Sequence, residues 1–172
     1  MKVYITGVSG VGKSSVAEEL QRRGIKAIDM DAMEGLCFWE NKETRKRADY
    51  YTGIGRDWLE AHSYMCAVSE LKEIINRERG DVVVLGLISN QEEYLHLFDK
   101  IILLHCNEET FLHRIRTRSG DNQFAKDPSE QEHILSWYRE YEEDMRKKGA
   151  IPIDTDRPVD EVAEEIQKVL NH

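Results

Sequence analysis

Six residues into a chain of 172, Gly7-Val8-Ser9-Gly10-Val11-Gly12-Lys13-Ser14 completes the phosphate-binding pattern Gly-x-x-x-x-Gly-Lys-Ser/Thr. The pattern constrains the fold because each fixed position has a physical task. Gly7 and Gly12 let the backbone wrap an anion without a Cβ in the way. Amides of the loop and of the following helix start, through Ser15, then form a concave nest for phosphate oxygens. Lys13 supplies a mobile point charge, and the Ser14 hydroxyl is placed to ligand Mg²⁺. Such a loop works only between a strand and a helix. Val3-Tyr4-Ile5 is a short β-type run before it, and Ser15 to Leu20 continues as a helix after it.

The remaining chain alternates in the same manner. Ile25 to Ile28 reads as a second strand entered through Gly24, and it ends at Asp29-Met30-Asp31. A polar stretch from Glu40 to Tyr51 follows. Trp58, Ala61, Met65, Val68, Leu71 and Ile75 then recur at three- or four-residue steps, which predicts one long amphipathic helix over about 57–79. Asp81 to Gly86 and Lys100 to Leu104 are continuous apolar runs of the kind buried on both faces of a sheet. Ser89-Asn90-Gln91-Glu92 offers a capping box for a short helix, Asn107 a cap for a helix to Arg118, and Ser129 a cap for a helix to about Lys148. Ala150 to Ile153 predicts an edge strand, because Pro152 cannot donate to a ladder, and Pro158 opens a last helix. Strands alternating with helices predict one α/β domain over 1–172, with a parallel sheet between helical layers.

Composition removes several function classes. With 24 Lys and Arg against 33 Asp and Glu, the formal net charge is -9. That balance does not suit general nucleic-acid binding, which needs basic surface. Cys37, Cys66 and Cys106 are scattered and contain no Cys-x-x-Cys, so neither a disulfide framework nor a zinc site is expected. No apolar stretch is long enough to span a membrane, and with the loop so near the start no signal peptide is read. A reduced, cytoplasmic setting is the expectation, with no nucleic-acid or membrane partner and a monomer or homodimer as the assembly.

On these residues the chain resembles the small P-loop kinases, the group of adenylate-kinase-like, shikimate and gluconate kinases. Gly7 to Ser14 is similar to the gluconate-kinase form of the loop. Asp29-x-Asp31 falls where shikimate and gluconate kinases carry Asp-x-Asp. Arg56-Asp57-Trp58-Leu59 is similar to a gluconate-kinase Arg-x-Pro-Trp-Leu segment with one residue missing, and Arg114-x-x-x-Arg118 resembles the lid entry of the same enzymes. The resemblance implies a three-layer fold with a five-stranded parallel sheet in the order 2-3-1-4-5, helices on both faces and a small lid near 119–128. It also implies ATP and Mg²⁺ as ligands. The chain departs from the group by having only Gly86 where shikimate kinases have a glycine triplet, and by lacking an acid at the end of strand three. Magnesium is then expected on Ser14, with Asp31 or Asp29 steadying it.

These readings define a candidate site. Residues two apart on a strand point the same way, so Asp29 and Asp31 are expected to face the phosphates, with Asp31 acting on the acceptor hydroxyl or the metal. Arg114 and Arg118, four apart on a helix, are expected to converge on one anion. Lys13, Asp31 and Arg118 are thus the catalytic candidates. Residues 7–15 with Arg114 and Arg157 are the nucleotide-binding candidates, Arg157 by stacking on the base in the loop that the resembling kinases place beside adenine. Asp29, Asp31 and Arg56 are the acceptor-binding candidates, and Asn122, Phe124 and Lys126 lie in the lid segment. The leading expectation is an ATP-dependent small-molecule kinase acting on a sugar-acid, nucleoside or nucleotide acceptor. A nucleotide-driven switch or a non-catalytic nucleotide sensor is the alternative.

Overall fold

The computed structural model describes residues 1–119 and 123–171. Five parallel strands form the central sheet: β1 (Lys2–Thr6), β2 (Lys26–Asp29), β6 (Val82–Leu85), β7 (Lys100–His105) and β8 (Ile151–Asp154). They lie in the order β2-β6-β1-β7-β8. Counted among themselves that is second, third, first, fourth, fifth. Three shorter strands, β3 (Cys37–Asn41), β4 (Arg47–Ala48) and β5 (His62–Cys66), form a separate antiparallel sheet ordered β4-β3-β5.

Strand β1 shows why the sheet is sandwiched. Val3 and Ile5 enter one apolar core with helices α1 (Lys13–Arg22), α4 (Glu108–Thr117) and α6 (Val159–Leu170), through residues such as Leu20, Phe111 and Ile166. Tyr4 enters a second core with Leu71 and Ile75 of α3 (Val68–Arg77). Alternate residues of one strand therefore bury on opposite faces, which is what a run without polar alternation requires. Helix α5 (Pro128–Lys147) touches the first core at Ile134 and Tyr138, and packs Met145 on Leu103.

The expected long helix over 57–79 is not formed. Helix α2 (Arg56–Ala61) stops at His62, β5 replaces its middle, and α3 resumes at Val68. The three- to four-residue stripe is equally satisfied by two short helices around a strand. The strand wins because residues 62–66 find a full antiparallel partner in residues 37–41, with Trp39 opposite Tyr64. The segment read only as polar, 40–51, accordingly supplies part of that sheet. Ser89 and Asn90 do not cap a helix either: Gln91–Glu93 and Leu95–Leu97 are single 3₁₀ turns. Ser89 N–H donates to Tyr64 O at 2.7 Å, and Asn90 bonds both backbone groups of Cys66, so these residues tie down the free edge of β5. Helix α5 is capped by Asp127 rather than Ser129, whose amide donates to the Asp127 carboxylate. Among the described residues no helix is long and apolar enough to cross a membrane.

Candidate functional site

Gly7, Gly10 and Gly12 all have positive φ, at 151°, 87° and 102°. The loop is also packed from behind. A Cβ on Gly7 would run into Leu104 O of β7, and one on Gly10 would sit 2.5 Å from Phe111 O of α4. Gly12 meets nothing nearer than Arg114 Nη1 at 3.9 Å, so its requirement is conformational alone. Gly10, which the sequence pattern leaves variable, is thus held by both conformation and contact. Val8 and Val11 are fully buried and anchor the loop in the first core.

Lys13 folds back over this loop, its ammonium donating to Gly7 O at 2.6 Å and Val8 O at 3.1 Å. Burial lowers its pKa, aided by Arg118, while the carboxylates of Asp31 and Asp29 oppose the fall. Ser14 Oγ donates to Asp29 Oδ2 at 2.7 Å, and Asp29 Oδ1 accepts from Asp31 N–H at 3.1 Å. The expectation that both acids ride one strand face is corrected here. Strand β2 ends at Asp29, and Asp31 stands on the 3₁₀ turn Met30–Ala32 that Asp29 caps. Both carboxylates still act on Lys13. The one that meets Ser14 is Asp29, whereas Asp31 interacts with Lys13 and the Tyr64 phenol. Asp31 keeps solvent contact, yet the surrounding protein raises its carboxyl pKa, with Lys13 pulling the other way and Asp29 adding to the rise. Gly86 leaves room for the Met30 side chain of this turn, since a Cβ there would lie 2.8 Å from Met30 Sδ.

The two arginines reach the phosphate loop at different points. Helix α4 ends at Thr117 and Arg118 is its C-cap, its N–H still donating to Arg114 O at 3.0 Å. Arg114 turns toward the β8–α6 loop, donating to Thr155 O at 2.7 Å and Thr155 Oγ1 at 3.3 Å, and reaches Val11 O at 3.4 Å. Arg118 donates to Ser9 Oγ at 3.4 Å and to Phe124 O, while its buried Nε has no partner among the described residues. Lys126 donates to Arg118 O at 2.7 Å, tying the lid segment to the same residue. Asn122 lies outside the described residues. Arg157 pairs with Glu165 and bonds Asp154 O, and Arg56 is an exposed helix-start residue paired with Glu60 at 2.6 Å. Neither is drawn to the loop by any of these contacts.

Sequence reasoning missed an aromatic wall. Trp39 packs with Tyr64 at 5.1 Å and Trp58 at 5.2 Å between ring centroids, and Tyr50 with Phe124 at 5.4 Å and Trp39 at 6.0 Å. All five rings are half-buried. Its sequence signal was the aromatic pairing potential of 37–41 with 62–66, hidden under the helical stripe. Glu130 was missed as well. Its fully buried carboxylate accepts from Tyr50 OH at 2.8 Å, Gly53 N–H at 3.0 Å and Ala125 N–H at 3.1 Å. It fastens the wall and the lid segment to α5. A chain of interactions results, running from Ser9 through Arg118 and Phe124 to Trp39, Tyr64 and Asp31, whose charge acts on Lys13. Two open depressions lie elsewhere, one along α5 at Trp137 and Tyr141 and one along α4 at Glu108 and Arg116, and neither contains a loop residue.

Comparison with known proteins agrees with this geometry. No curated protein sequence matches the chain significantly. Among solved structures it is similar to deoxyadenosine kinase from M. mycoides with bound dATP, at 17% identity and TM-score 0.57, covering 100% of both chains. Shikimate kinase from Aquifex aeolicus is similar at 16% identity and TM-score 0.57, over 99% of this chain and 96% of that one. A gluconokinase from Sinorhizobium meliloti is similar at 21% identity and TM-score 0.52, over 95% and 87%. These likenesses establish the three-layer P-loop kinase fold. The AAA domain family matches residues 3–136, and the chain belongs to that family.

Proposed function

We propose that the chain is an ATP-dependent phosphotransferase that moves the γ-phosphoryl group of MgATP to a small-molecule acceptor. The observation that carries this reading is the convergence of Lys13, the Ser14–Asp29 pair, Asp31 and Arg118 around one phosphate loop. Phosphoryl transfer asks a protein for positioning and charge rather than covalent chemistry. The loop amides hold the phosphates. Lys13 exchanges its two carbonyl partners for phosphate oxygens, and Arg118 Nε, unpartnered among the described residues, supplies a donor for charge spread over the transferred group. Ser14 and Asp29 would hold the magnesium that accompanies the nucleotide, which favours Asp29 over Asp31, the two acids the sequence left open for that role.

Asp31 is the acceptor's base. Its raised proton affinity suits a group that takes a proton from a hydroxyl as that oxygen attacks phosphorus. The acceptor lies between Asp31 and the wall of Trp39, Tyr64 and Phe124. Aromatic faces favour a partner with a flat or CH-rich ring, which fits a nucleoside, nucleotide or sugar-acid acceptor.

The deciding experiment incubates purified protein and MgATP with panels of nucleosides, nucleotides and sugar acids. The expected result is a phosphorylated acceptor formed in step with ADP, lost in Asp31→Asn while ATP still binds. Steady ATP hydrolysis with no phosphorylated acceptor from any panel would overturn the proposal in favour of a nucleotide-driven switch. ATP binding without turnover would favour a sensor.

A further inference from the structure

Two thiols face each other across the β3–β5 ladder, where Cys37 and Cys66 are direct register partners. The backbone bonds say what kind of pair they make. Ala67 N–H donates to Leu36 O at 2.9 Å, and Lys42 N–H donates to Ala61 O at 3.0 Å. Positions 36/67 and 42/61 are therefore hydrogen-bonded pairs, and in an antiparallel ladder such pairs alternate with non-hydrogen-bonded ones. Cys37/Cys66 falls on the non-hydrogen-bonded alternation. Cys66 agrees: its N–H donates to Asn90 Oδ1 at 2.9 Å and its carbonyl accepts from Asn90 Nδ2 at 3.1 Å, both away from β3. Non-hydrogen-bonded partners stand about 4.5 Å apart at Cα with their side chains close. That spacing lies inside the roughly 4.4–6.8 Å window that a disulfide accepts.

The surroundings suit exchange chemistry. Cys37 is half-buried and reachable, and Cys66 is buried behind it. Their mutual hydrogen bond raises the Cys37 pKa, with burial adding to the rise, and lowers that of Cys66, with burial opposing. A thiolate formed on Cys66 is thus held by the S–H of Cys37. The Tyr64 phenol interacts with both Cys37 and Asp31. Cys106, the third thiol, packs on the core of the opposite sheet face.

We propose that Cys37 and Cys66 are a reversible dithiol–disulfide site, oxidised by peroxide and re-reduced by small thiols, set in the wall that carries Tyr64. One sulfur takes a hydroxyl from the peroxide and a first water leaves. The other sulfur displaces that hydroxyl as a second water, and the S–S bond forms. Two electrons pass from the thiols to the peroxide and two S–H bonds are lost. Oxidation thereby takes the Cys37 S–H away from Tyr64 and pins β3 to β5 beside Asp31.

The test treats the intact native protein with hydrogen peroxide, alkylates remaining thiols, digests without reduction and maps the peptides by mass. The expected product is a single intramolecular peptide pair joining Cys37 to Cys66, two hydrogens lighter, with Cys106 alkylated. Dithiothreitol restores both thiols. Cys37→Ser and Cys66→Ser, each checked for native circular dichroism, abolish the linked pair. The proposal is overturned if Cys37 and Cys66 both remain alkylated while Cys106 oxidises. It is equally overturned if oxidation runs to sulfinic acid without a link, or if the link is intermolecular or resists dithiothreitol.

Discussion

Removing Glu130 is expected to loosen the aromatic wall and the segment around Ala125 together. Its carboxylate is 0% exposed and serves three donors from two separate segments: Tyr50 OH, Gly53 N–H and Ala125 N–H. Ala125 holds a left-handed φ of 61°, so its amide bond to Glu130 also anchors a strained backbone position. Glu130→Ala strands all three donors. A buried donor without a partner costs about 1–3 kcal/mol. Ala125 is buried and bears that cost in full, whereas Gly53 is exposed and recovers water and Tyr50 is half-buried. The sum is a loss of about 3 kcal/mol, a large part of the ~5–15 kcal/mol that holds a domain together. Glu130→Gln behaves differently. Its amide oxygen placed at Oε2 still accepts from Tyr50 and Ala125, while its NH₂ confronts the Gly53 donor, a cost of about 1 kcal/mol. Urea unfolding of the three proteins measures the difference, and amide exchange locates it: Gly53 and Ala125 exchange faster while β1 amides stay protected. The reasoning is refuted if Glu130→Ala lies within about 0.5 kcal/mol of wild type, or if Gln and Ala substitutions cost the same.

Two further perturbations separate conformation from contact and charge from stability. Gly10→Ala combines left-handed strain of about 1–2 kcal/mol with a Cβ 2.5 Å from Phe111 O, whereas Gly12→Ala has only the strain. Thermal melting should therefore fall clearly further for Gly10→Ala, and equal shifts would deny the backbone clash its role. Asp31 has a raised pKa, so its ionised form is disfavoured by the fold. The ligand-free protein should lose stability as pH rises through the folded value, above the ordinary 3.8, and regain it below. Asp31→Asn should remove that dependence and raise the urea midpoint at neutral pH while abolishing transfer. An unchanged pH profile in the variant would refute the assignment.

The legible part of the site was the part written in consecutive residues. Residues 7–15 carry the glycines, the lysine and the serine as one local string between a strand and a helix, and the folded loop needs those types wherever it occurs. Asp29 and Asp31 were readable as a pair, although a strand alternation was assumed where a capped turn stands. The arginine pair was readable as far as the loop, which Arg114 reaches at Val11 O and Arg118 at Ser9 Oγ; the partners that hold their other donors, Thr155 and Phe124, were not legible. The aromatic wall stayed hidden because residues 58–75 satisfy a helical stripe and a helix–strand–helix path alike.

By itself, then, the sequence determined the phosphate loop, the five strands of the central sheet and the Asp29/Asp31 pair at the end of β2, since each depends on interactions within a few residues or on a short apolar run between turn residues. Only the tertiary structure decided that residues 62–66 pair with 37–41, that Glu130 collects donors from residues 50, 53 and 125, and that Arg114 turns to Thr155 while Arg118 stays at Ser9. Those outcomes depend on partners tens of residues away. A local pattern fixes which conformations a segment can adopt, and the distant partner's hydrogen bonds and buried rings select among them.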